Sequence, residues 1–270
     1  MESVPISGIR VFYDLDDRQV IDEIVIACER SIQTISNLWK LDVPQDCRVY
    51  IMTAWPRCVF QGAPIGSQIL LGLTLPLWYS EFKKRWQYAG GWSQRYGSRN
   101  VVGIKTPQLI AKTHASFGES IFIPPDTPQE KIHSILAHEL THAFSSHLGL
   151  PAWLNEGIAM VSSDHCLGKA TVLPNTLQQL NDQDQPNATA ETINLNQQKR
   201  DEIILLYIRG YWLTRFLCDF HPKLLNELLM GGYSHREIED FVSARLELTP
   251  GAFWQRAGQL VVTNYQMDLT

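Results

Sequence analysis

Two hundred and seventy residues, 44% of them hydrophobic, suffice for one large domain or two closely packed lobes around a sizeable core. A formal charge of −5 and a pI near 5.9 leave no basic excess, which argues against nucleic acid as a partner. The longest apolar run, 69–78, is too short for a bilayer and contains Pro76, so the sequence predicts a buried segment there and no membrane partner.

The chain opens Met1-Glu2-Ser3-Val4-Pro5, without the basic start and apolar core of a signal peptide. Its five cysteines (28, 47, 58, 166 and 218) are odd in number, widely spaced and form no C-x-x-C pair. Reduced thiols in a cytoplasmic protein are expected.

In chain order, residues 8–14 read as a strand. Asp16 or Asp17 is placed to cap a helix in which Ile21, Ile24, Val25, Cys28, Ile32, Ile35 and Leu38 recur at helical spacing. Residues 48–53 alternate as a second strand. A helix over 77–88, ended by Gly90 and Gly91, is followed by strands at 101–105 and 120–123. Thr127, Pro128 and Glu130 then stand at N-cap, N1 and N3 of a helix. Its apolar stripe is Ile132, Ile135, Leu136, Leu140, Ala143, Phe144 and Leu148, and Gly149 and Pro151 stop it. A further helix is expected over 151–163, a long polar loop or lid over 169–200, and helix over 201–220. Pro222 starts another helix, Ser234 and Glu237 form a capping box for 238–246, and Thr249-Pro250 begins a last helix through 260.

The segment His138-Glu139-Leu140-Thr141-His142 lies inside the best-defined of these helices. Residues four apart stack one turn above the other, so both imidazoles share a face. Two histidines and a carboxylate form a ligand set for a catalytic zinc with one position open to water, and Glu156 in Trp153-Leu154-Asn155-Glu156-Gly157 supplies the carboxylate. Glu139 points to the same side, placed to act as general base toward a water that zinc acidifies from a pKa of about 16 towards about 7.

H-E-L-T-H followed by W-L-N-E-G-I-A resembles the gluzincin metallopeptidases, in particular the aminopeptidase-N-like branch and the compact peptidase MA-like domains. The resemblance spans about 121–217 and implies that Glu156 is the third metal ligand. A third match, Leu206-Tyr207-Ile208-Arg209-Gly210, resembles the family's Y-x-K-G segment with arginine for lysine. By that likeness Tyr207 donates to the oxyanion formed on water attack, with Tyr211 one turn on as the reserve. The family's G-A-M-E-N segment, which grips a free amino group, is absent, and Glu119 is the residue nearest to such a role. The 120–123 strand would pair with an extended peptide by edge addition, as in the family. Met160 stands where some gluzincins carry an aspartate behind a histidine ligand, with Asp164 one turn further. The remaining histidines and the group Trp78, Trp86 and Trp92 read as surface and core residues.

The expectation is therefore an α+β, zincin-like fold in two lobes forming one catalytic unit. Residues 1–149 make an α/β lobe with a small mixed sheet ending in the H-E-x-x-H helix, and 150–270 a mostly helical lobe. The expected activity is zinc-dependent hydrolysis of peptide bonds in a peptide or protein substrate. Two alternatives stay open: a catalytically silent metal-binding module for peptides or proteins on the same fold, and a zinc hydrolase of non-peptide amides.

Overall fold

The computed structural model describes residues 1–54, 56, 60–111, 115–180, 195–248 and 253–267. The fold is α+β, mostly helical with one small mixed sheet. Contacts divide the chain into two units.

The first unit comprises Met1–Glu119, Pro124–His147 and Ser162–Lys169. Its strands are β1 (Glu2–Ile6), β2 (Ile9–Tyr13), β3 (Asp46–Met52), β4 (Gly91–Tyr96) and β5 (Arg99–Lys105), in the spatial order β1-β2-β3-β5-β4. β2, β3 and β5 run parallel, and hairpins add β1 and β4 antiparallel at the two edges. Ser7 and Gly8 both have positive φ, the geometry that a two-residue hairpin loop matched to strand twist requires. The interior strands lose the alternation of a half-solvated sheet. Residues 49–52 of β3 and 100–105 of β5 are buried without a break.

Helix α1 (Ile21–Trp39) makes the crossover from β2 to β3 and buries Ile24, Cys28, Ile32 and Ile35 along one stripe. Between β3 and β4 lie α2 (Ile65–Leu73) and α3 (Leu75–Tyr88), and after β5 comes the short α4 (Pro107–Ala111). Helix α5 (Pro128–Ser145) packs on α1, β4 and β5 through Ile132, Leu136, Leu140 and Phe144. Thr127 Oγ1 accepts from the Glu130 amide at 3.2 Å, as the cap requires. The reciprocal half of the box is diverted, because the Glu130 carboxylate takes the Asp126 amide and Lys169 instead. The end of helix α6 (Ala152–Leu167) belongs to this unit, where Trp39 Nε1 donates to Ser162 Oγ at 2.7 Å and Ser163 Oγ to the Ser134 carbonyl.

The second unit comprises Ser120–Ile123, Leu148–Val161 and Ala170–Thr270. It carries the start of α6, then α7 (Leu195–Phe220), α8 (Pro222–Met230), α9 (His235–Arg245) and α10 (Phe253–Met267). The Ser234/Glu237 capping box is complete. Helices α6 and α7 meet at glycines. A methyl on Gly157 would come within 2.3 Å of the Gly210 carbonyl oxygen, and one on Gly210 within 2.3 Å of the Trp153 carbonyl oxygen. Among the described residues no helix is long and apolar enough to cross a membrane, and Cys28, Cys47, Cys166 and Cys218 are free thiols.

Several sequence expectations are corrected. Residues 15–20 form a 3-10 turn, so neither Asp16 nor Asp17 caps α1, whose N-cap is Val20. Residues 120–123 form no strand, only an isolated bridge from Phe122 to Val172, because the chain reaches them from a 3-10 turn at Ala115–Ser120. The apolar run 69–78 is not buried, and α2 buries none of its residues. The expected loop 169–200 contains a 3-10 turn at Pro174–Leu180 that buries Thr176, Leu177 and Leu180, and its end already belongs to α7. Its middle, 181–194, and the start expected for the last helix, 249–252, lie outside the described residues.

Candidate metal centre

Helix α5 positions the two histidines. Its apolar stripe faces the sheet and α1, which leaves His138, Glu139 and His142 half-buried on another face. The imidazoles stand at 88° to each other, with centroids 4.7 Å and Nε2 atoms 3.1 Å apart. Glu156, also half-buried, lies in the first turns of α6. One ligand atom from each of His138, His142 and Glu156 lies within 4.8 Å of the other two, the one such group of metal-ligating side chains among the described residues.

This donor set fits a divalent transition ion. Two imidazole nitrogens bound tetrahedrally at about 2.0–2.1 Å must lie about 3.3 Å apart, close to the separation found. Two imidazole nitrogens and one carboxylate oxygen are donors that such an ion accepts. These three residues can hold a metal ion.

Glu139 stands against the start of β4. A methyl on Gly91 would meet Glu139 Cγ at 2.6 Å and Oε1 at 3.0 Å, and one on Gly90 would meet Ile135 Cδ1 at 2.6 Å. The glycine pair expected to end a helix therefore lets an edge strand run flush against α5. β4 was not foreseen, although Trp92 to Tyr96 alternates weakly after two glycines.

In the second unit, Tyr207 is half-buried on α7 and meets Phe122 edge to face with centroids 6.3 Å apart. Tyr211, one turn on, is buried against Trp212. Arg209, in the place of the resembled lysine, lies with its guanidinium 5.2 Å from the Trp254 ring centre, and burial pulls its pKa below the ordinary arginine range.

The residues read as bystanders are placed as follows. Glu119 is exposed, and Met160 and Asp164 are buried. His133, read as a surface residue, is buried, and its Nε2 lies 2.9 Å from Glu23 Oε1 of α1, a hydrogen-bonded contact between α5 and α1. Trp86 and Trp92 pack against the cluster of Tyr50, Met52 and Val101, so they are core residues. No family model matches the chain, and neither does any curated protein or solved structure.

Proposed function

We propose that the chain is a zinc-dependent metallopeptidase of the gluzincin type, on a zincin-like fold. The observation that carries this reading is the convergence of His138, His142 and Glu156, with Glu139 on the same helix as the two histidines. A bound divalent ion would supply Lewis-acid polarisation of a carbonyl and an acidified water. The chain's residues would do the rest. Glu139 takes the proton from the attacking water and delivers it to the leaving amine. Tyr207 donates its hydroxyl proton in a hydrogen bond to the oxygen that gains charge. The role assigned in sequence to 120–123 passes to β4, whose outer edge is that of the sheet and whose first residue adjoins Glu139. An extended peptide added there would run past the general base.

The deciding experiment is Glu139→Gln. The variant is expected to keep one zinc per chain by elemental analysis and to lose peptidase activity by about 10²-fold or more. Full activity in a zinc-loaded variant overturns the base assignment. A peptide library assayed with and without chelator separates the alternatives. Binding without cleavage assigns a silent module, and cleavage of small amides alone assigns a hydrolase of non-peptide amides.

A further inference from the structure

Helix α2 turns most of its large aliphatic side chains outward, leaving only Leu71 among them half-buried. On α2 the half-buried positions include Ser67 and Gln68, and the residue after the helix, Thr74, is half-buried as well. Gln68 Nε2 donates to the Ala63 carbonyl at 2.8 Å, Thr74 Oγ1 to the Leu70 carbonyl at 2.8 Å, and Trp78 Nε1 to Thr74 Oγ1 at 3.1 Å. The polar groups are thus turned in and satisfied locally. Facing out are Ile65 (77% exposed), Ile69 (59%), Leu70 (63%) and Leu73 (78%), and Leu77 (84%) at the start of α3 continues the row. Water does not favour this arrangement, since it leaves five large aliphatic side chains solvated together.

The same segment has its own charge pattern. Residues 58–80 contain no charged side chain, and Glu81 is the only acid between Asp46 and Glu119, a stretch with nine lysines and arginines in a chain of net charge −5. Three of those bases, Lys83, Lys84 and Arg85, come six to eight residues after Leu77 in the sequence, just past Glu81. Lys83 is exposed, with its ammonium 5.9 Å from the centre of the half-exposed Tyr79 ring. Further along α3, Phe82 and Trp86 pack on the Tyr50–Met52–Val101 cluster, and Lys105 donates to the Trp86 carbonyl. The element is anchored at that end and presents its apolar row outward.

We propose that α2 and the first turn of α3 dock on the surface of an anionic phospholipid bilayer. Nine residues of helix are about 14 Å long, too short to span but long enough to lie in the headgroup boundary. An outward row of aliphatic groups without a hydrogen-bonding or charged member suits an acyl boundary, and the exposed Lys83 beside the Tyr79 ring, in a stretch of sequence rich in bases, suits an anionic headgroup layer. A helix lying on the surface needs no membrane-spanning segment, and none is present among the described residues.

The test is flotation of the full chain with phosphatidylcholine vesicles, with and without phosphatidylserine. The chain is expected to float with the anionic vesicles, weakly with neutral ones, and less as salt is raised. Leu73→Ser and Leu77→Ser should each weaken vesicle binding by about tenfold or more, and both positions are exposed enough to leave zinc content and far-UV circular dichroism unchanged. Replacing Lys83, Lys84 and Arg85 by glutamine should remove the preference for anionic vesicles, by about fivefold per charge. Absence of flotation, equal flotation on neutral vesicles, or serine variants that float as well as the parent chain overturns the proposal. A dimer seen by sedimentation, lost in the serine variants and unaccompanied by flotation, overturns it in favour of a second copy as the occupant.

Discussion

Glu139 occupies the space that a side chain at Gly91 would fill, so the placement of the proposed base depends on a missing methyl group one strand away. Gly91→Ala forces either the Glu139 side chain or β4 to shift by several tenths of an ångström. Misplacing a reacting group by about 1 Å costs about 10²-fold. The variant is expected to bind zinc at the parent stoichiometry and to lose at least about tenfold in kcat. Unchanged kcat would show that β4 gives way and that the Gly91 contact does not set the carboxylate's position.

The Gly157–Gly210 crossing sets the spacing of α6 and α7, which carry Glu156 and Tyr207. Both clashes that a methyl would create are with backbone carbonyls, and the Thr214 hydroxyl adds a third to the Gly157 methyl at 2.0 Å. Backbone cannot retract as a side-chain tip can, so the helices must separate. Gly157→Ala and Gly210→Ala should each destabilise by about 1–3 kcal/mol, lowering Tm by about 5 °C in a calorimetric scan. The double variant should fall short of the summed loss, because one separation relieves both clashes.

How much of this could be read in the sequence depends on how local each signal is. Helix α5, its cap and the His138/His142 pair follow from spacing within one helix, and Glu156 follows from a nearby segment of resembled sequence. The sheet was half legible. β3 and β5 are buried on both faces and advertise it with valine and isoleucine, whereas β1 contains Pro5 and β4 begins at Gly91 directly after Gly90, composition that usually argues against a strand. Hairpin pairing at an edge overrides it in both cases. The exposure of Ile65, Ile69, Leu70, Leu73 and Leu77 was not legible, because an apolar run has the same sequence whether it faces a core or a bilayer.

Asp46 gives a pH-dependent handle away from the site. Burial alone would raise its pKa, but hydrogen bonds from Arg48 Nε at 2.7 Å and Arg99 Nε at 3.0 Å outweigh that and hold the carboxyl below its usual range. A folded-state pKa below the unfolded one stabilises the fold above the unfolded value, about 3.9, and that contribution disappears as pH falls through the folded value. Asp46→Asn should therefore be less stable than the parent at neutral pH, with the difference closing below about pH 4. Urea midpoints over pH 2–7 would show it, and the effect should be small because the carboxylate is about a third exposed.

Removing a ligand tests the centre without reference to turnover. His138→Ala, His142→Ala and Glu156→Gln should each leave substoichiometric zinc after dialysis. An ion that binds only the folded chain stabilises it by about 2.7 kcal/mol at a hundredfold excess over Kd. Zinc should therefore raise the Tm of the parent chain by about 5–10 °C and leave the Tm of these variants unmoved. A zinc-dependent rise that survives in all three would place the ion elsewhere.

In the proposed mechanism Tyr207 and Tyr211 are the two candidates for the oxyanion donor, and their surroundings separate them. Tyr211 is 2% exposed and packed on Trp212, a core position, whereas Tyr207 is half-buried and touches Phe122 by a ring edge. A donor must reach a substrate that arrives from solvent, which favours Tyr207. Removing one such donor typically costs 10²–10³-fold in kcat. Tyr207→Phe should lose about that much, with zinc content close to the parent. Tyr211→Phe should leave kcat within a few-fold. Reversed results would move the hydroxyl donor one turn along α7, and full activity in both variants would remove tyrosine from the proposed chemistry.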